Sequence, residues 1–187
     1  MRIFQLIGFI TAFIWSAYAT ADNPIVTLET SKGNIEITLF EEQAPVTVKN
    51  FLSYVDKGFY EGTIFHRVIS NFMIQTGGFD VNMEEKKAGK PIINESKNRL
   101  HNDRGTVAMA RTSDPDSATA QFYVNVRMNS SLDWQYGQAG YTVFGEVSNG
   151  MHVVNEISIV QTAIIGGMED VPLQQITVNK AYRGKAK

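Results

Sequence analysis

Arg67 and Gln75 stand inside a run that otherwise reads as buried strand: Phe65-His66-Arg67-Val68-Ile69-Ser70-Asn71-Phe72-Met73-Ile74-Gln75-Thr76-Gly77-Gly78. Val68-Ile69 and Phe72-Met73-Ile74 are core-like, yet a guanidinium and a carboxamide fall among them. Arginine keeps its charge at any working pH and is seldom fully buried without a partner. One account of Arg67 is a salt bridge at a strand end. The other is a fork of fixed N–H donors held beside an apolar surface. His66 invites a general-base role, but a structural, hydrogen-bonded histidine fits the run better. His101 and His152 are far apart in sequence, and no metal-ligand spacing joins them. Asp114 and Asp116, around Pro115, read as a solvated turn. There are no cysteines, which excludes thiol catalysis and disulfide exchange.

Four further blocks follow in order: Gly105-Thr106-Val107-Ala108-Met109-Ala110-Arg111, Ser117-Ala118-Thr119-Ala120-Gln121-Phe122-Tyr123-Val124-Asn125, Leu132-Asp133, and Tyr141-Thr142-Val143-Phe144-Gly145-Glu146-Val147. With residues 65–78 they make a pattern that resembles the cyclophilin family of peptidyl-prolyl cis–trans isomerases. The blocks span roughly residues 25–180, so the resemblance covers nearly the whole chain after its apolar leader.

The resemblance implies an enzyme that accelerates rotation about X-Pro peptide bonds, with no cofactor and no metal. It implies that Arg67 stabilises the twisted amide, and that Gln75 holds substrate backbone or orients Arg67. Phe72, Met73, Tyr123 and Leu132 would form an apolar socket for the proline ring. Ala110 and Arg111 would pair with extended substrate backbone, Gln121 would help to order the site, and Tyr141 would complete the substrate-binding set. A different class of protein, a non-catalytic chaperone module that clamps proline-containing segments, is the alternative. Retention of both Arg67 and Gln75 favours catalysis, since a clamp has no use for a donor aimed at a twisted amide.

Departures from the family's pattern bear on rate and specificity. Many eukaryotic members carry a tryptophan before the Leu-Asp pair, where this chain has Ser131. That tryptophan is associated with cyclosporin binding, so weak inhibition by the drug is expected. Tyr123 replaces the usual phenylalanine and adds a hydroxyl that needs a partner. Tyr141 stands where better-known members place a histidine, and Arg111 where they place an asparagine.

The elements that must position these residues are legible from periodicity. Val26-Thr27-Leu28-Glu29-Thr30 and Asn34-Ile35-Glu36-Ile37-Thr38-Leu39 alternate apolar and polar around Ser31-Lys32-Gly33, which predicts a β-hairpin. Pro45 followed by Val48, Phe51, Leu52 and Val55, with Gly58 as a stop, predicts a helix. A second helical pattern lies at Met151 to Ile157. Short apolar segments at 59–69, 72–75, 106–110, 121–126, 141–147 and 173–181 predict an antiparallel barrel or sandwich. No linker or repeat divides the chain, so one domain is expected. The resemblance sharpens the fold class to mainly β: a closed eight-stranded antiparallel barrel capped by two α-helices, packed solid, with its site on the outer surface.

Residues 1–21 read as a cleaved signal peptide: Arg2, an uncharged apolar stretch from Ile3 to Tyr18, then Ala19-Thr20-Ala21 as a small-x-small cleavage site. The domain is then residues 22–187. The stretch is short for a membrane span of about 20 residues, so no stable insertion is expected after cleavage. With the absence of cysteine and a resemblance to cyclophilins of the compact bacterial, periplasmic type, the expected location is a bacterial periplasm. Partners would be proline-containing segments of unfolded or partly folded envelope proteins, met by a monomer. The chain's 187 residues carry 19 acidic and 17 basic side chains, a net charge of −2. Such a balance argues against a nucleic-acid partner held through phosphates. Residues 79–104 are polar and irregular, and read as surface loops.

Overall fold

The computed structural model describes residues 23–184, so the signal peptide expected at 1–21 lies outside the described residues. Strand β1 (Ile25–Thr30) and strand β2 (Gly33–Leu39) form the expected hairpin, pairing Thr30 with Gly33 across the turn. Helix α1 (Pro45–Asp56) follows, burying Val48, Phe51, Leu52 and Val55. Its first turn has no cap from its own neighbourhood. Glu95, far along the chain, accepts from the backbone N–H groups of Val46 and Thr47 at 3.1 and 2.8 Å. A carboxylate there satisfies orphan amides and favours the helix dipole.

The segment expected at 59–69 is two strands, β3 (Thr63–Ile64) and β4 (Arg67–Ile69), interrupted at Phe65-His66. Next come β5 (Met73–Thr76), β6 (Thr106–Met109), β7 (Phe122–Asn125) and β8 (Val143–Asn149), then helix α2 (Met151–Ser158). A hairpin of β9 (Thr162–Ile165) and β10 (Met168–Pro172) has no counterpart in the sequence reading, and β11 (Thr177–Arg183) ends the fold.

Nine strands form one antiparallel sheet in the order β3-β11-β1-β2-β8-β6-β7-β5-β4. The expectation of eight strands in a closed hydrogen-bonded ring therefore differs in count and in closure. The terminal strands, β3 and β4, do not pair with each other. Only Phe65-His66 separates them in sequence, so the chain itself makes the seam that a ladder would otherwise make. Phe65 N–H is satisfied instead by the Ile176 carbonyl at 2.9 Å.

The interior is solid. Val26, Leu28, Ile35, Ile37 and Leu39 from the hairpin meet Phe51, Tyr60, Phe122 and Phe144, all fully buried. Phe51 packs on Phe122 and Phe144 at centroid distances of 5.2 and 5.1 Å. Large side chains at this density leave no lumen for a ligand. Any site must lie outside.

Candidate active site

Successive residues of a strand face opposite sides of the sheet. In β7, Phe122 and Val124 join the interior cluster, while Tyr123 joins a second apolar cluster with Met73, Ala108 and Val143. Phe72, Leu132, Ala110 and Tyr141 pack around this outer cluster. Apolar side chains thus lie on both faces of β5, β6, β7 and the first half of β8, with Gln75 the polar exception beside the outer cluster.

Register then assembles the site. Arg67 of β4 opposes Gln75 of β5, Gln75 opposes Tyr123 of β7, and Tyr123 opposes Ala108 of β6. One row across four strands therefore carries the guanidinium, the carboxamide and the pocket aromatic on the outer face. Arg67, Phe72, Met73, Gln75, Ala110, Arg111, Tyr123, Leu132 and Tyr141 line a pocket of about 200 Å³. Of the expected site residues, Gln121 alone stands outside this lining. It borders an adjoining depression that shares Gln75, Ala110 and Arg111.

Each polar member has a defined partner. Gln75 Nε2 donates to Gln121 Oε1 at 2.8 Å. Gly78 makes room for this pair: a Cβ there would stand 2.5 Å from the Gln121 amide. Gln75 is therefore oriented by Gln121, and the partner of Arg67 is a residue absent from the sequence reading. Asp170 Oδ2 lies 3.5 Å from Arg67 Nε. Asp170 sits where the β9–β10 register shifts, with φ of 61°, and β10 packs against β4. Nothing in the residues near Asp170 signals this role, because the bulge that aims its carboxylate is a tertiary feature. Among the described residues no hydrogen bond engages the guanidinium, and 45% of the Arg67 side chain is exposed.

Arg111 is committed differently from the expectation that it pairs with substrate backbone. Its guanidinium donates to the carbonyls of Ala139, Gly140 and Thr112 at 2.7, 3.2 and 2.8 Å and lies 4.4 Å over the Tyr141 ring. It fastens the pocket wall that Leu132 and Tyr141 share, joined by Tyr141 N–H to the Leu132 carbonyl at 2.9 Å. Ala110 N–H is likewise occupied, donating to the Gln121 carbonyl at 3.0 Å.

The Tyr123 hydroxyl points away from the pocket and donates to Asn102 Oδ1 at 2.8 Å. Burial, with Tyr141 and Asp133 nearby, pushes its pKa well above the ordinary phenol value, so it remains a donor. His66 is buried against Phe79, and its Nδ1 has no partner. Burial lowers its pKa to about 4, so it stands neutral near neutral pH. Ser131 is exposed in a short 3₁₀ turn, Ser130–Leu132. Trp134 does not take the place of the absent tryptophan: it borders a separate depression with Arg99, His101 and Asp133.

A solid barrel bearing an apolar socket with an arginine at its rim, on the outer face, defines a surface site for an extended chain. The family model described as cyclophilin type peptidyl-prolyl cis-trans isomerase/CLD matches residues 25–183, and this chain belongs to that family. A peptidyl-prolyl cis-trans isomerase of Acinetobacter baylyi is 54% identical over 163 residues, covering 87% of this chain and 86% of that protein. Peptidyl-prolyl cis-trans isomerase B of Escherichia coli is 50% identical, covering 82% of this chain and 96% of that one. A Cryptosporidium parvum cyclophilin, crystallised in the presence of the dipeptide Ala-Pro, superposes with a TM-score of 0.72 at 25% identity over 86% of this chain and 99% of that one. The protein is an enzyme, a peptidyl-prolyl cis–trans isomerase.

Proposed function

We propose that this isomerase acts on X-Pro bonds of exported proteins as they fold in the periplasm, with Arg67 stabilising the twisted amide over the Phe72–Met73–Tyr123–Leu132 socket. The barrier to amide rotation is roughly 18–20 kcal/mol, because resonance gives the C–N bond partial double character. No covalent bond need form or break. A catalyst has only to bind the twisted amide better than either planar form. Twisting makes the proline nitrogen pyramidal and returns its lone pair, which a cationic N–H donor can then meet.

The observation that carries this reading is the outer-face row from Arg67 to Ala108, which holds a permanently charged donor at the rim of an apolar pocket. Asp170 approaches Nε, which leaves the terminal nitrogens for substrate. A ten-thousandfold acceleration requires about 5.5 kcal/mol. One charge-assisted hydrogen bond contributes roughly 1.5–3 kcal/mol. The apolar socket supplies the remainder by weakening amide resonance and holding the substrate bent at proline. Gln75, fixed by Gln121, is placed to hold substrate backbone beside Arg67. The leader pattern read at residues 1–21 supports export.

The test is isomerisation of an X-Pro peptide by residues 22–187 and by the Arg67→Ala variant. The variant should lose about one to three orders of magnitude in kcat/KM, or about 1.4–4 kcal/mol, with its circular dichroism unchanged. A parent that binds proline peptides without isomerising them would make the protein a clamp. Fractionation of cells, with the mature N-terminus read by mass, tests export.

A further inference from the structure

Behind the socket runs a chain of polar groups that reaches from a pocket wall to the surface. Tyr123 Oη donates to Asn102 Oδ1 at 2.8 Å. Asn102 Nδ2 and its backbone N–H donate to Asp133 Oδ1 at 3.0 and 2.7 Å. The other carboxylate oxygen, Asp133 Oδ2, lies 2.9 Å from His101 Nδ1. Asn102 is fully buried and Tyr123 nearly so, whereas His101 is exposed. Asp133 directly follows Leu132, which lines the pocket. The Asn102 carbonyl also accepts from Asn129 N–H at 2.8 Å, and Asn129 Nδ2 donates to the Phe72 carbonyl at 3.0 Å. The side-chain amide of Asn102 therefore ties the segments that carry Tyr123 and Leu132, and its backbone carbonyl connects through Asn129 to the segment that carries Phe72.

We propose that Asn102 is a positioning residue for the proline socket, and that the His101–Asp133 pair sets its grip from the surface according to pH. This rests on the isomerase reading of the same pocket. The amide works in one orientation only: its NH₂ faces a carboxylate and its oxygen faces a hydroxyl that stays protonated. A buried polar network holds a unique arrangement while every member is satisfied and loses it when one is removed. At the surface end, the groups around His101 are Asp133, its neighbour Asp103, Arg99 across the same depression, and Lys97, which lies over Trp134. The hydrogen bond that His101 donates to Asp133 and the charges of Asp133 and Asp103 raise the pKa of His101. For Asp133, burial opposes ionisation, but the hydrogen bonds from Asn102 and His101 outweigh it and hold the carboxyl below its ordinary value. The charged pair is thus complete below the ordinary imidazole pKa and is lost as pH rises through the raised one.

The experiment is kcat and KM for an Ala-Pro tetrapeptide from about pH 5.5 to 8.5, across the imidazole range, with the whole mature protein. The parent should show a step of about two- to fivefold in KM that coincides with the His101 imidazole titration seen by NMR, since surface charges couple weakly. His101→Gln should abolish the step. Asn102→Ala should abolish it and raise KM by about fivefold or more while kcat changes less than about twofold, the pattern of lost ground-state positioning. A step that survives in a folded Asn102→Ala variant, or a parent without one, overturns the proposal. If Asn102→Ala does not fold, Tyr123→Phe takes its place, because it removes the hydroxyl and keeps the ring. An unchanged step in that variant is then the contrary result. A parent with no isomerase activity would overturn the enzyme reading instead, and the same pH series would be read as peptide affinity.

Discussion

The two faces of the β5–β7–β6–β8 sheet use the same kind of side chain to opposite ends. On the inner face, Phe122, Val124, Met109 and Phe144 are enclosed with Phe51 and Tyr60, and every contact they make is with the protein itself. On the outer face, Met73, Ala108, Tyr123 and Val143 form an equally apolar layer whose rim is left for a substrate. Adjacent residues such as Phe122 and Tyr123 thus belong to different tasks. The inner layer defines the shape of the molecule, and the outer one borrows that rigidity.

Substitutions on the two faces should separate stability from activity. The largest effect is expected from Phe122→Ala, which leaves a cavity among Phe51, Tyr60 and Phe144. Unfolding in urea should show a loss of about 3–5 kcal/mol. A variant of normal stability but poor turnover would break the distinction between the faces.

His66 gives the next effect. Its folded-state pKa, about 4, lies below the ordinary value of 6.5. Between those values the unfolded chain binds the proton and the folded one does not. Stability is therefore full above about pH 6.5, falls on acidification, and levels off below about pH 4, by up to roughly 3 kcal/mol in all. Urea midpoints measured across that window for the parent and for His66→Gln should diverge most at pH 7 and converge at the acid end.

The smallest effect sharpens the outer face. Asp170→Asn keeps a residue that tolerates the positive φ but removes the charge beside Arg67. Turnover should fall about two- to fivefold, with stability within about 0.5 kcal/mol of the parent, as befits a solvent-exposed pair. No change in kcat/KM would mean that Arg67 needs no orienting partner.

Local pattern revealed much of this in advance. The β1–β2 alternation, the Pro45–Asp56 helix and the Met151–Ser158 helix follow directly from spacing. The pocket lining was legible through the family pattern, because Arg67, Gln75 and Tyr123 each sit in a recognisable block. Long-range features were not legible. Glu95 caps a helix that begins 50 residues earlier, and Asp170 reaches Arg67 through a bulge in a hairpin whose sequence shows no clean alternation. The commitment of Arg111 to carbonyls of its own chain was equally hidden, since identical residue types serve substrate or scaffold according to what the loops bring near.

The position of β11 has a bearing on biogenesis. The last strand in sequence lies inside the ladder, between β3 and β1, where Val26 pairs with Arg183 and Ile64 with Thr177. A chain emerging from a ribosome or a narrow pore N-terminus first cannot complete this sheet until its final residues arrive. Until then β1 and β3 each lack a neighbour. Contacts of such long sequence separation also make for slow folding.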